Sequence, residues 1–139
     1  MTDCIFCKIV KGDIPSYKVY EDDYTFAFLD ISQVSKGHTL VVPKTHSRDL
    51  LGTDSEVLTH VIKSVQKVAQ MIDDTLQPDG INIVQNNRAF ADQSVFHLHF
   101  HIMPRYENEL DGFGYRWETH MEVFSQDEMA ALAEQIKHA

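Results

Sequence analysis

The stretch VFHLHFHIMPRY, residues 95–106, decides how the rest of the sequence is interpreted. Its histidines, His97, His99 and His101, stand at every second position, and the residues between them are aromatic or aliphatic. In a β-strand the three imidazoles would share one face, whereas in a helix they would spread over about 200° of the surface. Aromatic and branched side chains also favour strands. The pattern predicts a strand with one imidazole face and one apolar face.

Three roles are open for the imidazole face. A solvent-facing polar surface is improbable, because the chain has only eight histidines and three of them would fall on one face. Histidines at i and i+2 can bind one metal ion. Neutral imidazole, with an ordinary pKa of about 6.5, is also a nucleophile near pH 7. The polar loop 86–93, with Ser94 and Arg105 flanking the histidines, favours the last role for His99, because loop N–H groups can cradle a phosphate.

Composition limits the classes of partner. The chain has 139 residues, enough for one domain, and its formal net charge is −9. That charge argues against a nucleic-acid or anionic-membrane binder, but it leaves room for a small phosphorylated ligand. No apolar run approaches the length of a membrane span, and the N-terminus is unlike a signal peptide. We therefore expect a cytoplasmic protein with reduced thiols.

The remaining periodicities predict an α+β fold with an antiparallel sheet. Apolar segments 17–20 and 24–29 flank an acidic turn and predict a hairpin, and 38–43 predicts a further strand. Segment 80–85 predicts a strand that pairs antiparallel with the histidine strand.

Two helices are predicted from their caps. Thr53 and Glu56 form a capping-box pattern that begins one long helix, and Ser125 and Glu128 begin a C-terminal helix in the same way. A helical stripe of apolar residues follows the first cap. Its members are Val57, Val61, Val65, Val68 and Ile72.

The two cysteines, Cys4 and Cys7, have C-x-x-C spacing. They supply half of a zinc site, but reduced thiols are also small buried hydrophobes. A redox motif is less consistent with the sequence, because the pair lies outside a strand-to-helix setting.

Taken together, these motifs resemble those of the histidine triad (HIT) family of nucleotide hydrolases and transferases. The resemblance rests on HLHFHIM and extends to FLDIS (28–32), GHTLVVPKTH (37–46), GINIVQNN (80–87), QSVFHLHFHIMPRY (93–106) and DGFGYRW (111–117). The CxxC start looks like that of bacterial members. The resemblance implies a single HIT-like domain over 1–139, with a metal segment at 1–12, a tail and helix at 107–139, and a homodimer.

The resemblance also implies a reaction. His99 would attack the α-phosphorus of a nucleotide, form a covalent nucleotidyl-histidine and, after hydrolysis, release a nucleoside monophosphate such as AMP. Nucleoside phosphoramidates and dinucleoside polyphosphates would be the substrates. The implied catalytic residues are His97, His99, His101 and Ser94. The implied nucleotide-binding residues are Phe28, Asp30, Ile31, Asn86, Gln93, Ser94, His99 and His101.

By the same resemblance, a structural zinc ion would be bound by Cys4, Cys7, His46 and His97, with no organic cofactor. His97 would then be structural, His99 reactive and His101 supporting. Asp30 is suited to accept hydrogen bonds from ribose hydroxyls, but an Asp that starts a turn explains it equally well.

The phosphate loop NNRAFADQ departs from the family pattern, with Arg88 and Asp92 where glycines are expected. Glycine there would permit a positive φ, which Asp tolerates better than Arg. We hypothesise that Arg88 and Asp92 compensate each other's charge. Two rival functions stay open: a purine-nucleotide-binding module in which the altered loop has lost turnover, and a zinc-stabilised interaction protein with no small-molecule substrate.

Overall fold

The computed structural model describes residues 3–108 and 117–139, and its centre is an antiparallel sheet. The strands are β1 (Lys18–Glu21), β2 (Thr25–Leu29), β3 (Thr39–Pro43), β4 (Gly80–Gln85) and β5 (Phe100–Arg105), and the helices are α1 (Ile5–Lys11), α2 (Ser55–Leu76) and α3 (Gln126–Lys137). The strand order is β1-β2-β3-β5-β4. The predicted α+β class and the β4–β5 pairing are confirmed. No helix in the described ranges is long and apolar enough to span a membrane.

The two faces of the sheet bury different sets of residues, because successive side chains on a strand alternate between faces. One face packs on the predicted stripe of α2, and the other packs on α1. The α2 side consists of Ala27, Val41, Val61, Val65, Val68, Ile72, Leu98, Phe100 and Ile102. The α1 side consists of Phe6, Ile9, Phe26, Phe28, Leu40 and Val42.

The histidine strand is shorter than predicted, since β5 begins at Phe100 and the two preceding histidines lie outside it. The N–H of Leu98 donates to the carbonyl of Ser47 (2.6 Å), which draws this segment away from β4 and toward the loop after β3. The imidazoles nevertheless share one side. Phe6 of α1 contacts the rings of both His97 and His99, with centroids 5.9 and 5.1 Å apart.

Helix α2 begins differently from the prediction. Its N-cap is Asp54, whose carboxylate accepts a hydrogen bond from the N–H of Glu56 (2.9 Å). The Thr53 hydroxyl is engaged elsewhere, because it donates to the carbonyl of Asp49. The capping box at Ser125 and Glu128 is confirmed at the start of α3.

The N-terminal helix α1 was not predicted. Cys4 is its N-cap, with Sγ accepting from the N–H of Cys7 (3.4 Å), and Gly12 ends it with φ of 87°. Residues three apart on a helix lie on the same face, so α1 brings both thiols to one side. At the other end of the chain, residues 111–116 of the predicted DGFGYRW motif lie outside the described residues.

The turn between β1 and β2 is tied to α2 through one carboxylate. Asp22 accepts hydrogen bonds from the N–H groups of Tyr24 and Thr25 and from the hydroxyls of Tyr20, Thr25 and Ser64. Burial raises the pKa of Asp22, but these donors outweigh burial and lower the pKa to about 2. The folded state therefore favours the ionised carboxylate.

We expect Asp22→Ala to lower the free energy of unfolding by about 2 kcal/mol, because hydrogen bonds to a charged group are lost. Asp23→Ala is the matched control, since it removes the same charge from the exposed neighbouring residue. The stabilisation due to Asp22 is present above its ordinary pKa of 3.8 and should fade as the pH falls toward about 2. Urea unfolding at pH 7 and pH 3 measures both effects. Equal losses in the two variants would contradict this role.

Candidate functional site

A cavity of about 370 Å³ opens beside α1, on the imidazole side of the sheet. It brings together most of the predicted nucleotide-binding residues. Those lining it are Phe28, Asp30, Ile31, Ser94, His99 and His101, with Phe6 and Ile9 of α1 forming part of the wall. Asn86 and Gln93 are not among its lining residues.

His99 is held in one tautomer by the main chain. Its Nδ1–H donates to the carbonyl of His97 (2.7 Å), which leaves the lone pair on Nε2. Burial lowers the pKa of His99, although its bond to the His97 carbonyl and the charge of Asp30 oppose the shift. At neutral pH the ring is therefore uncharged and has a nucleophilic nitrogen.

His101 is oriented by a histidine that the sequence analysis missed. The N–H of Val34 donates to Nδ1 of His38 (3.3 Å), so Nε2–H of His38 donates to Nδ1 of His101 (2.9 Å). Nε2 of His101 then carries the hydrogen. Burial, with the neighbouring His99 and His38, lowers the pKa of His101 to about 4. His101 is thus a neutral hydrogen-bond donor at pH 7.

Asp30 starts a turn and also lines the cavity. Its Oδ1 accepts from the N–H of Ser32 (2.8 Å), which makes it a turn-starting residue. Its Oδ2 lies 3.6 Å from Nε2 of His38, and the residue also lines the cavity. The Asp30 carboxylate therefore lies between His38 and the cavity.

Gln93 is buried, and its amide joins three stretches of main chain. Its Oε1 accepts from the N–H of Arg88 (2.7 Å), and its Nε2 donates to the carbonyls of Arg48 (2.6 Å) and Val95 (3.2 Å). Asn86 accepts at its backbone carbonyl from Nε2 of Gln85 (3.1 Å). In this structure Gln93 supports the loops around the cavity.

The loop 86–93 keeps the positive φ expected from the glycines of the family pattern, although Arg88 and Asp92 replace those glycines. Arg88 has φ of 77° and Asp92 has φ of 70°, so both positions require the region that glycine favours. Among residues 3–108 and 117–139 no ion pair joins these two side chains. The hypothesis of a compensated pair has no support from their contacts.

We expect Arg88→Gly to stabilise the fold by about 1 kcal/mol. Arg88 combines φ of 77° with ψ of 155°, a conformation that costs a non-glycine residue about 1–3 kcal/mol, and glycine's entropic cost of about 0.5–1 kcal/mol offsets part of that gain. Arg88→Ala is the control, because it removes the side chain and keeps the strain. Chemical denaturation compares the two variants, and equal stability would contradict the strain argument.

The thiols of Cys4 and Cys7 lie close to the imidazoles of His46 and His97. Sγ of Cys4 lies 3.3 Å from Nδ1 of His97, and Sγ of Cys7 lies 3.4 Å from Nδ1 of His46 and 3.5 Å from Nδ1 of His97. In a tetrahedral zinc site, bonds of about 2.3 Å to sulfur and 2.0 Å to nitrogen place sulfur and nitrogen about 3.5 Å apart. The predicted ligand set therefore fits a single metal ion.

The tautomer of His97 suits this site. Its Nε2–H donates to the carbonyl of Pro43 (2.8 Å), which leaves the lone pair of Nδ1 directed at the thiols. Burial lowers the pKa of His97 to about 4, so the imidazole is neutral at pH 7, as a metal ligand must be. All four ligand atoms lie within 4.8 Å of one another, and the cluster could hold a metal ion.

The chain is similar to known proteins in both sequence and structure. Residues 11–108 match the model of the HIT domain. The chain belongs to the HIT family. A crystal structure of a HIT-family member from Bacillus subtilis superposes on this HIT protein with a TM-score of 0.94 and 48% identity, covering 98% of this chain and 96% of the other.

Two further relatives carry names that bear on chemistry. An adenosine 5′-monophosphoramidase of Schizosaccharomyces pombe is 44% identical to this HIT protein over 133 residues, 96% of this chain and 95% of that protein. A zinc-bound histidine triad protein from Mycobacterium smegmatis is 36% identical, with a TM-score of 0.75 and 99% coverage of both chains. The resemblance deduced from sequence, including the bacterial type with its CxxC pair, is confirmed.

Proposed function

We propose that this HIT protein is a nucleotide hydrolase that acts through a covalent intermediate on His99. The observation that carries the proposal is the bond from His99 Nδ1–H to the His97 carbonyl, because it leaves a neutral, buried Nε2 at the edge of the cavity. The substrates are nucleoside phosphoramidates or dinucleoside polyphosphates, and AMP is the expected product. The phosphoramidase relative supports this class of chemistry.

The reaction proceeds in two displacements. The lone pair on Nε2 of His99 attacks the α-phosphorus, the bond from phosphorus to the leaving group breaks, and the leaving group takes a proton relayed from water by the Ser94 hydroxyl. The hydroxide that remains from that water then attacks the phosphorus, the bond to Nε2 of His99 breaks with its electron pair returning to the ring, and the monophosphate is released. The sum is addition of one water across the scissile bond. Neutral His101 donates a hydrogen bond from Nε2–H to a phosphate oxygen in both steps.

The rest of the cavity would hold the nucleoside. Phe28 and Ile31 supply apolar contacts to the base, and the free electron pairs of Asp30 accept hydrogen bonds from the ribose hydroxyls. Gln93 acts from outside the cavity lining by fixing the loop 86–93 through its amide, and Asn86 is available to contact a phosphate through its side-chain amide. His97 contributes to catalysis through its carbonyl alone.

The same proposal places a zinc ion on Cys4, Cys7, His46 and His97. Zinc bound there supplies a rigid cross-link between the first turn of α1 and the loops that follow β3 and precede β5. These residues orient α1, which provides Phe6 and Ile9 to the cavity wall.

A substrate panel tests this function. Adenosine phosphoramidate and diadenosine polyphosphates are incubated with the protein, and AMP is quantified over many turnovers. Multiple turnover supports the hydrolase, binding without turnover would favour the nucleotide-binding module, and absence of binding would favour the interaction protein.

We also propose a cytoplasmic homodimer. β4 is an edge strand with an exposed Ile83, and α3 buries none of its side chains in the described protomer. Both features are suited to contacts with a second copy of the chain. Sedimentation analysis tests this proposal, and a monomer at micromolar concentration would refute it.

We expect His38→Ala to lower kcat about 10- to 100-fold, because His101 then loses the donor that sets its tautomer. His38→Gln should recover part of the rate, since its amide N–H can donate to Nδ1 of His101. ¹⁵N chemical shifts of the His101 ring give a readout that a packing defect would not produce. Exposed His120→Ala is the control. An unchanged tautomer in His38→Ala would contradict the assignment.

A further inference from the structure

We propose that Arg48 and Phe96 form a subsite for anionic leaving groups. The proposal rests on the hydrolase function assigned above and adds the substrate class, namely nucleotides whose scissile bond is followed by further phosphates. By the same argument, nucleoside phosphoramidates whose leaving group carries a positive charge should be poorer substrates.

A second cavity, of about 630 Å³, adjoins the nucleotide cavity. Ile5, Ser94 and Val95 line both, whereas His99 lines only the first, and Arg48 and Phe96 line only the second. The Ser94 hydroxyl thus lies at the junction. A group that leaves the phosphorus on the Ser94 side, away from the nucleoside, enters the space below Arg48.

The guanidinium of Arg48 lies over the Phe96 ring and has no ion-pair partner among residues 3–108 and 117–139. Its central carbon lies 4.5 Å from the centroid of the Phe96 ring. In the described parts of the chain, its side chain makes no ion pair or hydrogen bond. A cation–π contact of this kind uses no N–H hydrogen bond, so the N–H groups of the guanidinium can still donate to phosphate oxygens.

The main chain beneath Arg48 is fastened to the segment that leads to the nucleophile. Its carbonyl accepts from Nε2 of Gln93 (2.6 Å), and the carbonyl of Ser47 accepts from the N–H of Leu98 (2.6 Å). Gln93 and Leu98 are both buried. The backbone that carries the exposed Arg48 side chain is therefore fixed relative to the segment that carries His99.

Charge then selects the leaving group. The chain carries a formal net charge of −9, so it repels anions at long range unless a local cation offsets that field. Arg48 provides such a cation beside the scissile bond. A phosphate chain is attracted by it, and an alkylammonium group is repelled. Asp3 lines the same cavity, and its carboxylate limits the attraction.

Binding measurements separate this subsite from the nucleotide site. AMP and α,β-methylene-ADP, whose carbon bridge resists hydrolysis, are titrated calorimetrically into the intact protein at one ionic strength. The wild type should bind α,β-methylene-ADP about 2- to 5-fold more tightly than AMP, as expected for one exposed charge-assisted contact.

Substitutions at Arg48 and Phe96 test whether these side chains cause the preference for α,β-methylene-ADP. In Arg48→Gln the two compounds should bind with nearly equal affinity, and the affinity for AMP should be unchanged. Arg48→Lys should keep part of the preference for α,β-methylene-ADP. Phe96→Leu should give an intermediate ratio. Lys63→Gln, which removes an exposed charge on α2, should behave as the wild type.

The outcomes are distinguishable. If the wild type binds AMP but shows no preference for α,β-methylene-ADP, or if Arg48→Gln keeps the preference, the subsite is wrong and the nucleotide site stands. If the wild type binds neither compound, the proposed function and the subsite are both wrong.

Discussion

Replacing His99 should reduce kcat by several orders of magnitude while AMP affinity changes little, because the covalent route is lost and the cavity remains. His99 is buried and packs edge-on against Phe6, so His99→Ala would also disturb packing. His99→Asn is the sharper variant. Its amide N–H can still donate to the His97 carbonyl, but it has no nucleophilic nitrogen at the position of Nε2.

Steady-state kinetics with adenosine phosphoramidate and calorimetric titration with AMP measure the two quantities. Intact-mass analysis of rapidly quenched wild type should detect a nucleotidyl adduct, and His99→Asn should lack it. Near-normal turnover in either variant would show that the nucleophile lies elsewhere. His120→Ala, at an exposed position, controls for the loss of a histidine as such.

Cys7→Ser should reduce bound zinc toward zero and lower the free energy of unfolding by several kcal/mol, because the free energy of metal binding contributes to folding. Sγ of Cys7 lies 3.4 Å from Nδ1 of His46 and 3.5 Å from Nδ1 of His97, so its loss removes the thiol that is close to both imidazoles of the cluster. Elemental analysis and chemical denaturation, with and without a chelator, measure the two effects.

Comparing the metal-free and zinc-loaded forms separates the effect of the metal on stability from the effect of the substitution itself. Serine differs from cysteine by one atom, so the apo forms of wild type and Cys7→Ser should unfold at similar denaturant concentrations, and only the zinc-loaded forms should differ. A metal-free wild type that is fully stable and indifferent to chelator would leave the cysteines as packing residues.

The elements that follow from local periodicity could be predicted from sequence. β4 was found with the bounds predicted, and the stripe on α2 supplies Val61, Val65, Val68 and Ile72 to the core. These features depend on neighbours within a few residues, so the pattern alone determines which face is buried.

Features that depend on distant partners could not be predicted in this way. His97 and His99 leave the strand because the chain before β5 bonds to Ser47, which lies far away in sequence. His38 stands 63 residues before His101, and nothing in its local pattern marks it as that residue's partner. The CxxC spacing located two candidate metal ligands, and only the family resemblance supplied the other two candidates.

His97 belongs to two sites through different atoms. Its imidazole faces the thiols, and its carbonyl holds the tautomer of His99. Every residue type has a carbonyl, whereas only a few have a side chain that binds zinc. The two contacts are therefore genetically separable: a lineage could replace the thiol–imidazole cluster with apolar packing, through changes at positions 4, 7, 46 and 97, and retain the same orientation of the His99 ring.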